Sequence, residues 1–116
     1  MTKYKRIDIS AISDEKMPVA ADKLLSGKPV QSAVNQYTND KENFFVGVWE
    51  CNSGKWAVDY SEEEFLTILE GEAIITEIGG EPQTLKKGDH MVISKGFVGT
   101  WETVDYVKKL YVIYED

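Results

Sequence analysis

Residues 55–80 read KWAVDYSEEEFLTILEGEAIITEIGG. Two apolar runs flank an acidic knot, DYSEEEF at 59–65, where four carboxylates fall within six positions. Around that knot, Val, Ile, Thr and aromatic residues alternate with other residues at a period of two, the pattern of β-strands. Trp56, Val58 and Tyr60 share one side of the first run, and Ala57 and Asp59 the other. In the second, Glu64, Leu66 and Ile68 face together, against Phe65, Thr67 and Leu69. Gly71 interrupts the β run from Phe65 to Ile78, as a glycine does where a strand bends or bulges at a barrel corner. Gly79-Gly80 suits a tight hairpin.

The same texture extends outward. FFVGVWEC, PQTLK, HMVIS, FVGTWETV and YVKKLYVIY are short, β-prone and separated by NSG, KKGD and SKG. Many short strands joined by Gly-bearing turns predict an all-β sandwich or barrel. The N-terminal third is less regular. YKRIDI alternates weakly enough to be a strand, AADKLLSGKP reads as a short helical turn ended by Gly27 and Pro29, and PVQSAVNQYT reads as a strand. We therefore expect one domain: an arm and strands over 1–43, packing on or swapping between barrels, and a barrel core over 44–116.

With 116 residues the chain can bury a single core without disulfides. Its formal net charge of -7 and its dispersed lysines argue against nucleic acid and anionic membranes as partners. Cys51 is the only cysteine, so neither an intrachain disulfide nor a thiolate metal cluster can form. MTKYKRIDIS lacks the apolar stretch of a signal peptide, and a cytoplasmic location is expected.

Two stretches carry a family resemblance. The first runs from Gly54 through Glu64 to Gly71, and the second from Gly88 through Gly96 to Glu102. They resemble the two motifs of the cupin superfamily, a double-stranded β-helix or jelly-roll barrel. GVWECNSGKWAVDYSEEEF, ILEGEA and GFVGTWE further resemble small single-domain cupins of the ureidoglycine aminohydrolase type. In metal-binding cupins, the resemblance implies, three histidines and a glutamate hold the ion. Here the histidine positions fall on Ala57, Asp59 and Gly99, and Glu64 alone keeps its ligand type. No cofactor is expected, a weakly held divalent cation on Asp59, Glu62 and Glu64 being the alternative. The same register turns Ala57, Asp59, Glu64, Gly99, Trp101 and Thr103 toward the lumen, with Gly99 leaving space that the Trp101 indole could fill.

These positions define the expected chemistry. Asp59 and Glu64 would form a carboxylate pair, one holding its proton near neutrality and so able to act as acid and base. Trp101, Thr103, Gly99 and Ala57 would contact a small polar metabolite. Cys51 reads as a buried small hydrophobe, His90 as a surface residue, and Lys108-Lys109 as charges that blunt the pairing edge of the last strand. The expected function is small-molecule binding in the barrel without a His-based metal site. The alternatives are a hydrolase or isomerase using Glu64 and Asp59, and a ligand-free interaction module. The resemblance also implies a homodimer.

Overall fold

The computed structural model describes residues 2–116. It is all strand: β1 Met17–Pro18, β2 Leu24–Gly27, β3 Val30–Thr38, β4 Phe44–Asp59, β5 Glu63–Glu77, β6 Gln83–Lys86, β7 His90–Ile93 and β8 Val98–Tyr114. All pairings are antiparallel, in the order β1-β3-β4-β8-β5-β6, with β2 on β4 and β7 on β5. No helix among the described residues is long and apolar enough to cross a membrane.

Three long strands make the framework. The segments that the sequence reads as separate (FFVGVWEC and KWAVDY, EFLTILEG and EAIITEI, FVGTWETV and YVKKLYVIY) run on as β4, β5 and β8. Irregularities take the place of turns. Against β8, β4 shifts register between Asn52 and Gly54, and β5 shifts on both sides of Gly71. NSG is therefore a bulge in a continuous strand rather than a turn. The Asn52 side chain accepts from the Val30 N–H at 2.5 Å and donates to the Lys28 carbonyl at 3.3 Å. At the corner, Gly71 has φ +80°, and a Cβ there would collide with the Tyr106 carbonyl.

The core lies between the folded-over halves of these strands. Leu66, Ile68, Ala73, Ile75, Trp101 and Val107 are buried at its centre. Leu66 and Ile68 share a face with Glu64, as alternation predicts, so Glu64 is carried into the interior with them.

The N-terminal third departs from expectation in two places. AADKLLS forms no helix: Leu24–Gly27 pairs with the β4 backbone at Gly54–Trp56, and seven residues are too few for a helix to compete with that ladder. YKRIDI is not a strand. The arm is instead fastened by a side chain, with Gln36 accepting from the Asp8 N–H at 2.7 Å and donating to the Asp8 carbonyl at 2.8 Å. PVQSAVNQYT is a strand, β3, paired with β4.

The largest correction concerns Lys108-Lys109. β8 is no edge; it lies between β4 and β5, and both lysines are buried, at 7% and 8% exposure. Adjacent residues of a strand point to opposite faces. Lys108 reaches the arm, donating to the Ala11 carbonyl at 3.0 Å, while Lys109 turns inward.

Gly71→Ala places a methyl group against backbone at a positive φ. We expect a loss of roughly 2–4 kcal/mol, read as a lowered urea midpoint with an unchanged slope. A wild-type midpoint would mean the corner relaxes freely.

Candidate functional site

The acidic knot at 59–65 resolves into residues with separate tasks. The turn is pinned to the β7–β8 connection by the Tyr60 N–H on the Phe97 carbonyl (2.9 Å) and the Gly96 N–H on the Tyr60 carbonyl (2.7 Å). Tyr60 packs edge-on against Phe97, with centroids 5.9 Å apart. Held this way, its hydroxyl donates to Glu64 Oε1 at 2.7 Å. Glu63 accepts from the Lys95 backbone N–H, and Ser61 donates to Glu115. Glu62 lies at the mouth of the cleft described next.

Glu64 is 2% exposed and forms the floor of an open cleft of about 840 Å³. Its second oxygen, Oε2, lies 2.9 Å from the Lys109 ammonium. That ammonium also sits 4.7 Å from the ring centroids of both Trp49 and Trp101. The two indoles meet edge to face at 5.5 Å. One buried cation is thus held by a carboxylate and two π faces, the arrangement in which cation–π attraction is strongest. Trp49 Nε1 donates to Gln31 Oε1 at 3.0 Å, and the Tyr111 hydroxyl donates to Asn35 Oδ1 at 2.9 Å. All four residues line the cleft. Burial, then the Glu64 charge, raises the Tyr60 phenol well above the ordinary tyrosine range. The same two causes raise Tyr111. Both phenols therefore stay protonated at neutral pH.

The residues singled out from sequence fall in different places. Glu64 and Ala57 line the cleft. Asp59 is at its rim, with a 74% exposed side chain and Lys23 at 3.6 Å, so Lys109 rather than Asp59 is the charged partner of Glu64. Trp101 lies beneath Lys109, outside the cleft lining. Its Nε1 donates to Thr103 Oγ1 at 3.0 Å, and both residues are buried. Gly99 leaves no vacancy, because a Cβ there would strike the Thr76 carbonyl across the β5–β8 ladder. Cys51 is buried, and desolvation pushes its thiol up to about 11. His90 is exposed, stacked on Phe65 and 2.8 Å from Thr67 Oγ1.

Sequence reasoning missed Lys109, Tyr60 and Tyr111. The signal for Lys109 was present. YVKKLYVIY is apolar on both faces, so one of two adjacent lysines in it must point inward.

The imidazole-based metal set of the fold does not fit these residues. Ala57 has no donor, Gly99 is backed by a carbonyl, and Glu64 is engaged by an internal ammonium. Among the described residues no three His, Cys, Asp or Glu side chains gather as a metal site.

The comparisons agree with this architecture. Residues 38–111 match the EutQ-like cupin domain. The chain belongs to that family of cupins. Among solved structures, a protein of unknown function of the DUF861 family from Pseudomonas syringae superposes with a TM-score of 0.80 at 20% identity, covering 92% of this chain and 46% of that one. The chain thus spans about half the length of the Pseudomonas protein. The EutQ protein of Clostridium difficile gives 0.67 at 20% identity, over 74% of this chain and 63% of its own. A putative ethanolamine utilization protein Q from Salmonella typhimurium gives 0.66 at 20% identity, over 90% and 98%. At this identity the likeness carries the fold. No curated protein matches the sequence.

Two measurements check the site. Lys109→Met and Glu64→Leu each leave a buried partner uncompensated and should cost about 3–5 kcal/mol, whereas the double change Glu64→Leu/Lys109→Met should recover most of it. Additive losses in that cycle would mean the two side chains do not interact. At pH 8 the raised Cys51 thiol should react with a disulfide reagent about 100-fold more slowly than in the urea-unfolded chain, from thiolate fraction alone. The folded state holds the Cys51 proton more tightly, so this group lowers stability as pH rises from the unfolded value of 9.0 through about 11.

Proposed function

We propose that this EutQ-like cupin binds a small polar molecule in the cleft, using a resident lysine ammonium where metal-dependent cupins use an ion. The observation that carries the reading is the Lys109–Glu64 pair. It is buried at the floor of a cleft large enough for a metabolite and walled in part by Trp49, Trp56, Tyr60 and Tyr111. A concave, mainly apolar site with a few convergent polar groups is the usual form of a small-molecule pocket. Keeping two charges out of water is a poor way to gain stability, since hydrophobic residues of similar volume do as well. A pair kept beside an open cleft has a use in presenting hydrogen-bonding groups to a guest.

A second reading rests on Tyr60. Its protonated phenol donates to Glu64 Oε1, so a substrate that displaces this contact would meet a carboxylate and a phenol able to exchange a proton. This supports a hydrolase or isomerase with Glu64 as acid/base. Asp59, at the rim, would act on the approach of the substrate. The likeness to ureidoglycine aminohydrolase-type cupins belongs to this reading.

A metabolite library screened by thermal shift and tryptophan fluorescence tests the first reading. Trp49 and Trp56 line the cleft, so a bound compound should change emission and raise Tm together. A library that changes neither overturns it. For any compound that is turned over, Glu64→Gln should lower kcat by about 100-fold or more. An undiminished rate removes Glu64 from the chemistry.

A further inference from the structure

We infer that the cleft selects uncharged ligands bearing a carbonyl or carboxamide oxygen, which Lys109 receives, over carboxylates and amines of the same shape. The inference deepens the binding reading and rests on it.

The argument starts from what Lys109 leaves open. Its side chain is 10% exposed, yet among the described residues its ammonium meets one oxygen, Glu64 Oε2, and two ring faces. An ammonium has three N–H donors and no acceptor. Lys109 lines the cleft, so an N–H remains for an oxygen brought by a guest. Each Glu64 oxygen already has a partner, Tyr60 on one and Lys109 on the other. Gln31 likewise has its oxygen taken by Trp49, which leaves its amide N–H groups to donate. The deep end of the cleft thus offers N–H groups to an oxygen brought by a guest.

Charge then decides which oxygen is received. At the floor, Lys109 is already balanced by Glu64. At the rim, Lys23 is balanced by Asp59. Glu62 at the mouth leaves a small negative excess. A carboxylate entering this site would lose water with no uncompensated cation to meet it. An amine would lose water likewise, since the carboxylate at the floor is already paired with Lys109. A neutral carbonyl or amide satisfies the open donors without stranding a charge, the condition under which buried polar groups are tolerated. The aromatic wall of Trp49 and Trp56, with centroids 6.3 Å apart, adds a preference for a flat body beside that oxygen.

A matched series isolates charge from shape. Benzamide, benzoate and benzylammonium share a ring and differ at one substituent. Titration of ¹⁵N-labelled protein, following the Trp49 and Trp56 indole N–H resonances, should give a Kd for benzamide about tenfold or more below both others. Lys109→Met removes the donor and leaves Glu64 uncompensated, so the order should invert and benzylammonium should bind best. Lys109→Arg keeps the charge and should keep benzamide first, and it decides the matter if the methionine variant does not fold. Benzoate binding most tightly to the wild type, or an order unmoved by Lys109→Met, overturns the inference. If none of the three binds while the library yields another ligand, the selectivity falls and the binding reading stands. If the library is empty as well, both fall.

Discussion

The structure depends on β8 lying between β4 and β5. Over Val107, Lys108 and Lys109 this doubly paired strand is buried on both faces, so a polar side chain there must find a partner inside. Two consecutive lysines in such a strand are a severe constraint. Lys108 is met on one side by the Ala11 carbonyl of the arm. On the other, Glu64, Trp49 and Trp101 meet Lys109. The placement of the arm and the chemistry of the cleft are thus two answers to the same demand. A core that supplies a carboxylate and two indoles to one ammonium has its cation built in. The loss of imidazole ligands at Ala57 and Gly99 is consistent with that.

Much of the fold could be read from alternation. Leu66 and Ile68 are apolar at alternate positions with Glu64, and that pattern alone puts the carboxylate inside. Gly71 in an unbroken β run announced the corner, because only a residue without a Cβ tolerates positive φ against a neighbouring carbonyl. The failures share a cause. NSG has the composition of a turn, but Asn52 can satisfy Val30 and Lys28 across a bulge, so β4 continues. AADKLLS has a helical pattern, but pairing with β4 outweighs the weak preference of seven residues. Local composition describes what a segment would do alone, and here long-range backbone pairing overruled it.

The site was legible in part. Glu64 follows from the motif register, but on β4 it is Trp56 and Val58, paired with Trp101 and Gly99, that face the core, so Ala57 lies on the other face although it lines the cleft. Asp59 is on the same strand as Ala57, but at its last residue, where the barrel opens and Lys23 comes close. Trp101 and Thr103 point inward as read, yet they satisfy one another beneath the cleft. Lys109 was hidden because strand order cannot be read from one sequence, and lysines are ordinarily assigned to edges or surfaces. Tyr60 was hidden because alternation sets it on the side opposite Asp59, and the inward role in the knot was given to Asp59 and Glu64 alone.

The lysine doublet has a further effect on how the barrel finds its alignment. A slip of β8 by one residue exchanges its two sides, yet KK presents the same side chain to each, so these charges are degenerate as alignment marks. The discrimination has to come from elsewhere on the strand. Gly71 against the Tyr106 carbonyl is suited to it, since only a hydrogen clears that oxygen and any neighbouring residue brought into its place carries a clashing side chain. The corner glycine thus works as a vernier: it is remote from the cleft, carries no chemistry, and fixes which of two identical ammonium groups faces the cleft.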